Sequence, residues 1–166
     1  MTKKIKVLIA AGGTGGHVFP AYSLAKDLIE KKNKVELITD LRGYNLLKNY
    51  KELKLKKISS SPIIKKNILT IFSSIILILF SITRSLFYLI SNRPKIIFGM
   101  GGYSSFPICI AASILKIKFV IYENNLIIGK ANKYLLPFTK KLFVSYKNLE
   151  GIPKKYNNKI SEIGNL

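Results

Sequence analysis

Short apolar runs alternate along this chain with longer runs of helical period. Ile5–Ala10 is brief, apolar and ended by glycine, which predicts a buried strand. In Val18–Lys31, Leu24, Leu28 and Ile29 fall on one side and Lys26, Asp27 and Glu30 on the other, the two faces of a helix. Pro20 is tolerable in its first turn. Val35–Thr39 predicts a second strand and Lys56–Ser59 a weaker third; a long apolar segment, Ile68–Ile90, follows. Beyond it Ile96–Phe98, Phe119–Tyr122 and Leu142–Ser145 read as strands, and Phe106–Leu115 and Gly129–Leu136 as helices. Ile160–Ile163 is a last strand or the start of a linker. Strands alternating with helices predict an α/β fold, a Rossmann-like doubly wound parallel sheet covered on both faces with right-handed connections.

In such a sheet a ligand lies beyond the carboxyl ends of the strands. Three unusual loops fall there: Gly12–His17, Gly99–Ser105 and Glu123–Asn125. The first holds four glycines around Thr14 and opens a helix, so bare N–H groups and the positive end of the helix dipole suit a phosphate or another oxyanion. It fits neither a Walker loop, which needs Gly-Lys-Ser/Thr, nor the dinucleotide frame, whose third glycine is Val18. Asp40 ends the second strand as an NAD-binding acid or a turn residue. Gly101 and Gly102 form a second anion cradle, with Ser104 or Ser105 as helix cap and Tyr103 stacking on a sugar or packing on the loop. His17 is the sole histidine; the helix dipole disfavours its imidazolium, which leaves it a proton acceptor or a residue that only holds the loop. Glu123 stands where it can orient His17, bind a sugar hydroxyl, act as base, or fix its loop by a salt bridge.

The 166 residues fit one domain, and a 48% apolar content excludes a disordered chain. Twenty-eight Lys and Arg against 8 Asp and Glu give +20, and the excess is even: 15 against 5 up to Thr83, 13 against 3 after it. Such a field draws anionic lipid, nucleic acid or phosphorylated metabolites. No recognition helix, RNA-binding sheet motif or zinc spacing supports nucleic acid. Cys109 is alone in an apolar stretch, a core residue that fits a reducing compartment. Met1-Thr2-Lys3-Lys4 runs directly into the first strand, and the cytoplasmic side is the expectation. Ile68–Thr83 has no charge, Arg84 interrupts it, and Lys65, Lys66, Arg93 and Lys95 flank it. Peripheral docking on an anionic membrane is the expected role; a fully buried helix and a true span are the alternatives.

The motifs Ala11–Pro20 (AGGTGGHVFP), Phe98–Tyr103 (FGMGGY), Tyr122–Asn125 followed by Gly129-Lys130-Ala131-Asn132-Lys133, and Ile163-Gly164-Asn165 together resemble the N-terminal half of GT-B glycosyltransferases of family 28 that act in peptidoglycan synthesis. The resemblance implies residues 1–163 as the acceptor-binding domain, 164–166 as the start of a linker, and an absent C-terminal donor-binding domain acting in cis or in trans. It implies transfer of GlcNAc from UDP-GlcNAc to lipid I, forming lipid II, at the cytoplasmic side of the inner membrane, with Ile68–Ile90 as the membrane contact and no metal or other cofactor. By the same likeness His17 and Glu123 are catalytic, Thr14, Gly15, Gly16 and Asn125 contact the donor, and Gly101, Gly102 and Tyr103 bind substrate. Two departures stand out: the family has His-Glu-Gln-Asn where this chain has Tyr122-Glu123-Asn124-Asn125, and a proline should follow Gly164-Asn165. The alternatives are a non-catalytic membrane-binding subunit of a split GT-B enzyme and an NAD-type oxidoreductase.

Overall fold

The computed structural model describes residues 4–58 and 68–166. The predicted strand end at Ser59 and the flanking Lys65 and Lys66 lie outside them. Seven strands form one parallel sheet: β1 (Lys6–Ala11), β2 (Lys34–Thr39), β3 (Lys54–Lys57), β4 (Ile96–Gly99), β5 (Phe119–Glu123), β6 (Leu142–Val144) and β7 (Ile160–Glu162). Their order is β3-β2-β1-β4-β5-β6-β7. The winding reverses between β1 and β4, so the turns after these two strands open a crevice at the carboxyl edge. Both glycine loops occupy that crevice. The residues at 160–162 are a paired strand, not a linker start.

Among the described residues five α-helices accompany the sheet: α1 (Gly15–Glu30), α2 (Leu41–Leu47), α3 (Ile68–Asn92), α4 (Ser105–Ile114) and α5 (Lys130–Leu135). Strand residues alternate between two cores. Val7, Ile9 and Ala11 of β1 pack with Val18, Ala21 and Ala25 of α1 and Leu47 of α2. Leu8 and Ala10 pack on the opposite face with Leu89 of α3, Ile108 of α4 and Leu135 of α5. Cys109 is buried there, as expected, and burial pushes its thiol well above the usual range.

The seven-residue helix α2 is absent from the sequence reading. Arg42, Gly43 and Asn45 dilute its apolar pattern, and its formation depends on Asp40, which caps it from outside by accepting from the Arg42 and Gly43 amides at 3.0 and 3.1 Å.

The long helix α3 lies between β3 and β4 in the chain and packs against α4. It is not buried. Phe72, Leu79, Phe80, Phe87 and Ile90 are 58–68% exposed, whereas Ser74 and Ser85 are 7% and 0% exposed. Leu89 is buried with Ser74 and Ser85 on the side toward the domain, while most of the described large apolar groups face outward, so this helix exposes far more apolar surface than an ordinary surface helix. That exposure overturns the fully buried alternative. The helix is also long and apolar enough, by length and composition, to cross a membrane.

Candidate active site

α1 starts at Gly15, three residues earlier than its apolar pattern shows, and this changes the role of Pro20. Proline now sits inside the helix and has no N–H to give the carbonyl one turn back. That carbonyl belongs to Gly16, and it accepts from Asn124 Nδ2 instead. A missing helix bond thus ties the loop after β5 to the glycine loop after β1.

The glycine loop does not present all its amides. Gly12 N–H donates to the Gly101 carbonyl at 2.8 Å, Gly13 N–H to Asp40 Oδ2 at 3.1 Å, and Thr14 N–H to the Gly12 carbonyl at 3.0 Å. The amides that remain for an anion are those of Gly15 and Gly16, in the first turn of α1. The expectation of a cradle along the whole loop narrows to these two. The second loop lies directly against the first: a Cβ on Gly12 would stand 2.6 Å from Gly102 Cα. Gly101 and Gly102 have φ of 87° and 77°, a region that favours glycine.

His17 is the third residue of α1. Its Nδ1 is 2.7 Å from Thr14 Oγ1, which explains why Thr14, although the N-cap residue, makes no side-chain capping bond. The other edge of the ring lies over Gly101, where an added Cβ would be 2.8 Å from Nε2. Burial holds the His17 pKa below its ordinary 6.5, and the Glu123 carboxylate partly opposes that shift. Neutral imidazole is thus the favoured form near pH 7. When Nδ1–H donates to Thr14, Nε2 keeps a free lone pair; in the other tautomer Nε2 carries the proton.

Glu123 is 1% exposed at the end of β5. It accepts from Asn125 N and Nδ2 at 3.2 and 2.6 Å, from Gly129 N at 2.8 Å and from Asn132 Nδ2 at 3.0 Å. It fixes its loop, and among the described residues it does so through amide donors rather than through the salt bridge that was one alternative. Asn132 also donates to the Tyr122 carbonyl at 2.9 Å. Neither Ser104 nor Ser105 caps α4 with its side chain. Ser104 Oγ donates to Asp40 and Ser105 Oγ to the Gly102 carbonyl.

These groups share one cavity of about 170 Å³. His17, Gly101, Gly102, Tyr103, Glu123 and Asn125 line it, together with Gly129–Asn132 at the start of α5. The three loops singled out in the sequence thus meet on one rim. Tyr103 is half-exposed on the wall of the cavity. Thr14 is exposed beside it, and its hydroxyl is on His17. The wall formed by Lys130 and Asn132 was not read as part of the site. Its only signal was the resemblance motif that contains both residues.

The pattern of the glycosyltransferase family 28 N-terminal domain matches residues 7–144. The chain belongs to glycosyltransferase family 28. It is 38% identical over 158 residues to a UDP-N-acetylglucosamine–N-acetylmuramyl-(pentapeptide) pyrophosphoryl-undecaprenol N-acetylglucosamine transferase of Pelagibacter ubique, covering 95% of this chain and 44% of that protein. A transferase of the same name from Rickettsia canadensis is 34% identical over 161 residues, covering 97% of this chain and 44% of that protein. The chain thus spans less than half the length of these relatives. In structure it is similar to MurG of Acinetobacter baumannii, with a TM-score of 0.79 and 25% identity over 96% of this chain and 45% of that one. The Staphylococcus aureus MnaA–UDP structure shares the fold, with a TM-score of 0.67 and 18% identity over 98% of this chain and 44% of that one. Family membership removes the NAD-type reading, and Asp40 is the cap of α2, with both oxygens occupied.

Proposed function

We propose that this chain is the acceptor half of an inverting, UDP-GlcNAc-dependent glycosyltransferase that converts lipid I to lipid II. The observation that carries the reading is the cavity in which His17, at the end of the first glycine loop, meets Gly101, Gly102 and Glu123. His17 Nε2 takes the proton of the attacking sugar hydroxyl while Nδ1–H donates to Thr14 Oγ1. Glu123 acts through its neighbours: its charge favours the imidazolium that forms, and its hydrogen bonds place Asn125 and Asn132. The open amides of Gly15 and Gly16, with the turn at Gly101 and Gly102, hold pyrophosphate oxygens, and Tyr103 lies against a sugar. Thr14 and Asn125 face the donor side of the cleft. A C-terminal domain, in cis or in trans, supplies the uridine contacts and stabilises the leaving diphosphate.

Membrane attachment belongs to the same reading, on the cytoplasmic face of the inner membrane. The outward apolar face of α3, with Arg84 on the helix, fits an anionic interface. Docking is favoured over spanning by topology. β3 precedes α3 and β4 follows it in the chain, and both strands belong to one sheet, so both ends of α3 must return to the same side of the membrane, which one crossing of about 30 Å of hydrocarbon does not allow.

The test joins this chain to the C-terminal domain of a relative, in cis or as a separate chain, and measures GlcNAc transfer to lipid I. Transfer is expected, and His17→Ala should lower the rate by about 10²–10⁴-fold. Undiminished transfer by His17→Ala rejects the base. No transfer by either arrangement, with both parts folded, rejects the enzyme reading in favour of a non-catalytic membrane subunit.

A further inference from the structure

Asp40 is 8% exposed at the end of β2, and its two oxygens serve different parts of the molecule. Oδ1 accepts from the Arg42 and Gly43 amides and caps α2. Oδ2 accepts from the Gly13 amide at 3.1 Å and the Ser104 hydroxyl at 3.3 Å. Gly13 lies in the turn after β1 and Ser104 in the turn after β4, so one carboxylate bridges both sides of the crevice. Capping α2 accounts for only one of the two oxygens. The fit at Gly13 is close, since a Cβ there would overlap Asp40 Oδ1. A carboxylate near a phosphate site would ordinarily repel the ligand. Here three amides, a hydroxyl and the Arg42 guanidinium at 3.7 Å from Oδ2 offset its charge.

We propose that Asp40 is a positioning residue of the anion site, locking the turns after β1 and β4 so that the Gly15 and Gly16 amides and the 101–103 turn face one oxyanion. The inference rests on the phosphate-cradle reading above. Asp40 touches no substrate. It consumes the Gly13 amide, which fixes the backbone direction entering α1, and it pulls Ser104 toward β2, which sets the turn on the other side.

Asn separates the two roles of this side chain. An Asn amide has one oxygen and one NH₂ group. Asp40→Asn keeps an oxygen for α2, where Asn caps as well as Asp, but then turns an N–H donor toward the Gly13 N–H. The experiment titrates inorganic pyrophosphate into the ¹⁵N-labelled chain at about 0.15 M salt, which screens the lysine surface. In the unsubstituted chain the Gly15, Gly16, Gly101 and Gly102 amides should shift together with a single dissociation constant. In Asp40→Asn the α2 amides should stay in place, Gly13 should lose protection from hydrogen exchange, and pyrophosphate should bind about tenfold more weakly. Ser104→Ala removes the hydroxyl from Oδ2, leaves the α2 cap whole, and should weaken binding about threefold; it decides the matter if the Asn variant does not fold. Unchanged affinity in either folded variant, with the same amides shifting together, reduces Asp40 to a helix cap and overturns the proposal. An unsubstituted chain whose glycine amides ignore pyrophosphate overturns the cradle reading itself, and this proposal with it.

Discussion

At the scale of single residues, the site depends on hydrogen bonds displaced from their ordinary partners. Thr14 gives its hydroxyl to His17 rather than to a helix amide, and Gly16 receives Asn124 because Pro20 has no N–H. The second case predicts coupling. Asn124→Ala leaves the Gly16 carbonyl without its partner and should cost about 1 kcal/mol of unfolding free energy. In a Pro20→Ala background the backbone N–H restored at that position can bond the carbonyl, so the same change should cost almost nothing. A denaturation double-mutant cycle reads the difference. His17 carries the pH dependence. Its pKa lies below 6.5, so a rate that needs neutral imidazole rises with pH through that lowered value and levels off above it. Stability has the same sign: below about 6.5 the unfolded chain binds the proton more readily, so protonation destabilises the fold as pH falls. Glu123→Gln removes the charge that favours imidazolium. The His17 titration, followed by NMR on the sole histidine, should move to still lower pH; a shift upward contradicts the assigned interaction.

At the scale of elements, the sequence pattern shows most of the strands because short apolar runs ended by glycine or a polar residue have few other uses. β1, β2, β4, β5 and β6 lie within about two residues of their apolar runs. It misses what non-local bonds decide. α2 exists because Asp40 caps it, the N-terminus of α1 lies in a glycine run with no apolar period, and Asp40 holds Ser104 from 64 residues away in sequence. The glycine loops and His17 were legible, since glycines beyond strand ends mark the rim. Which amides stay open was not, because Gly13 is spent on Asp40, the cap of α2, 27 residues away. α3 was legible as apolar, but which of its apolar groups face outward and which pack on the core needed coordinates. Those two sets separate stability from membrane binding. Phe72→Ser with Phe80→Ser alters only exposed groups, so stability should stay within about 0.5 kcal/mol, while sedimentation with anionic vesicles should fall by at least about tenfold. Leu89→Ala, at a fully buried position of the same helix, should do the reverse and cost about 2–5 kcal/mol of stability. Equal vesicle binding by the double Phe variant rejects α3 as the contact.

At the scale of the whole molecule, two forces act over different distances. The +20 charge is divided evenly along the chain, so it attracts an anionic surface without orienting the domain from one end of the sequence. The apolar face of α3 acts only on contact, and it decides which side meets the lipid. The two contributions separate by salt. Raising salt from about 0.05 to 0.5 M shortens the Debye length toward a few ångströms and should weaken binding to anionic vesicles steeply. Binding to zwitterionic vesicles should be weak and nearly salt-independent, because only the apolar contact remains. The variant lacking Phe72 and Phe80 should keep the salt slope of the unsubstituted chain and lie below it at every concentration. Arg84→Ser removes a charge close to Phe80, with the guanidinium 5.8 Å from the ring, and should flatten the slope. If the double Phe variant instead changed the slope and left high-salt binding intact, charge alone would hold the protein to the membrane, and the outward face of α3 would need another partner.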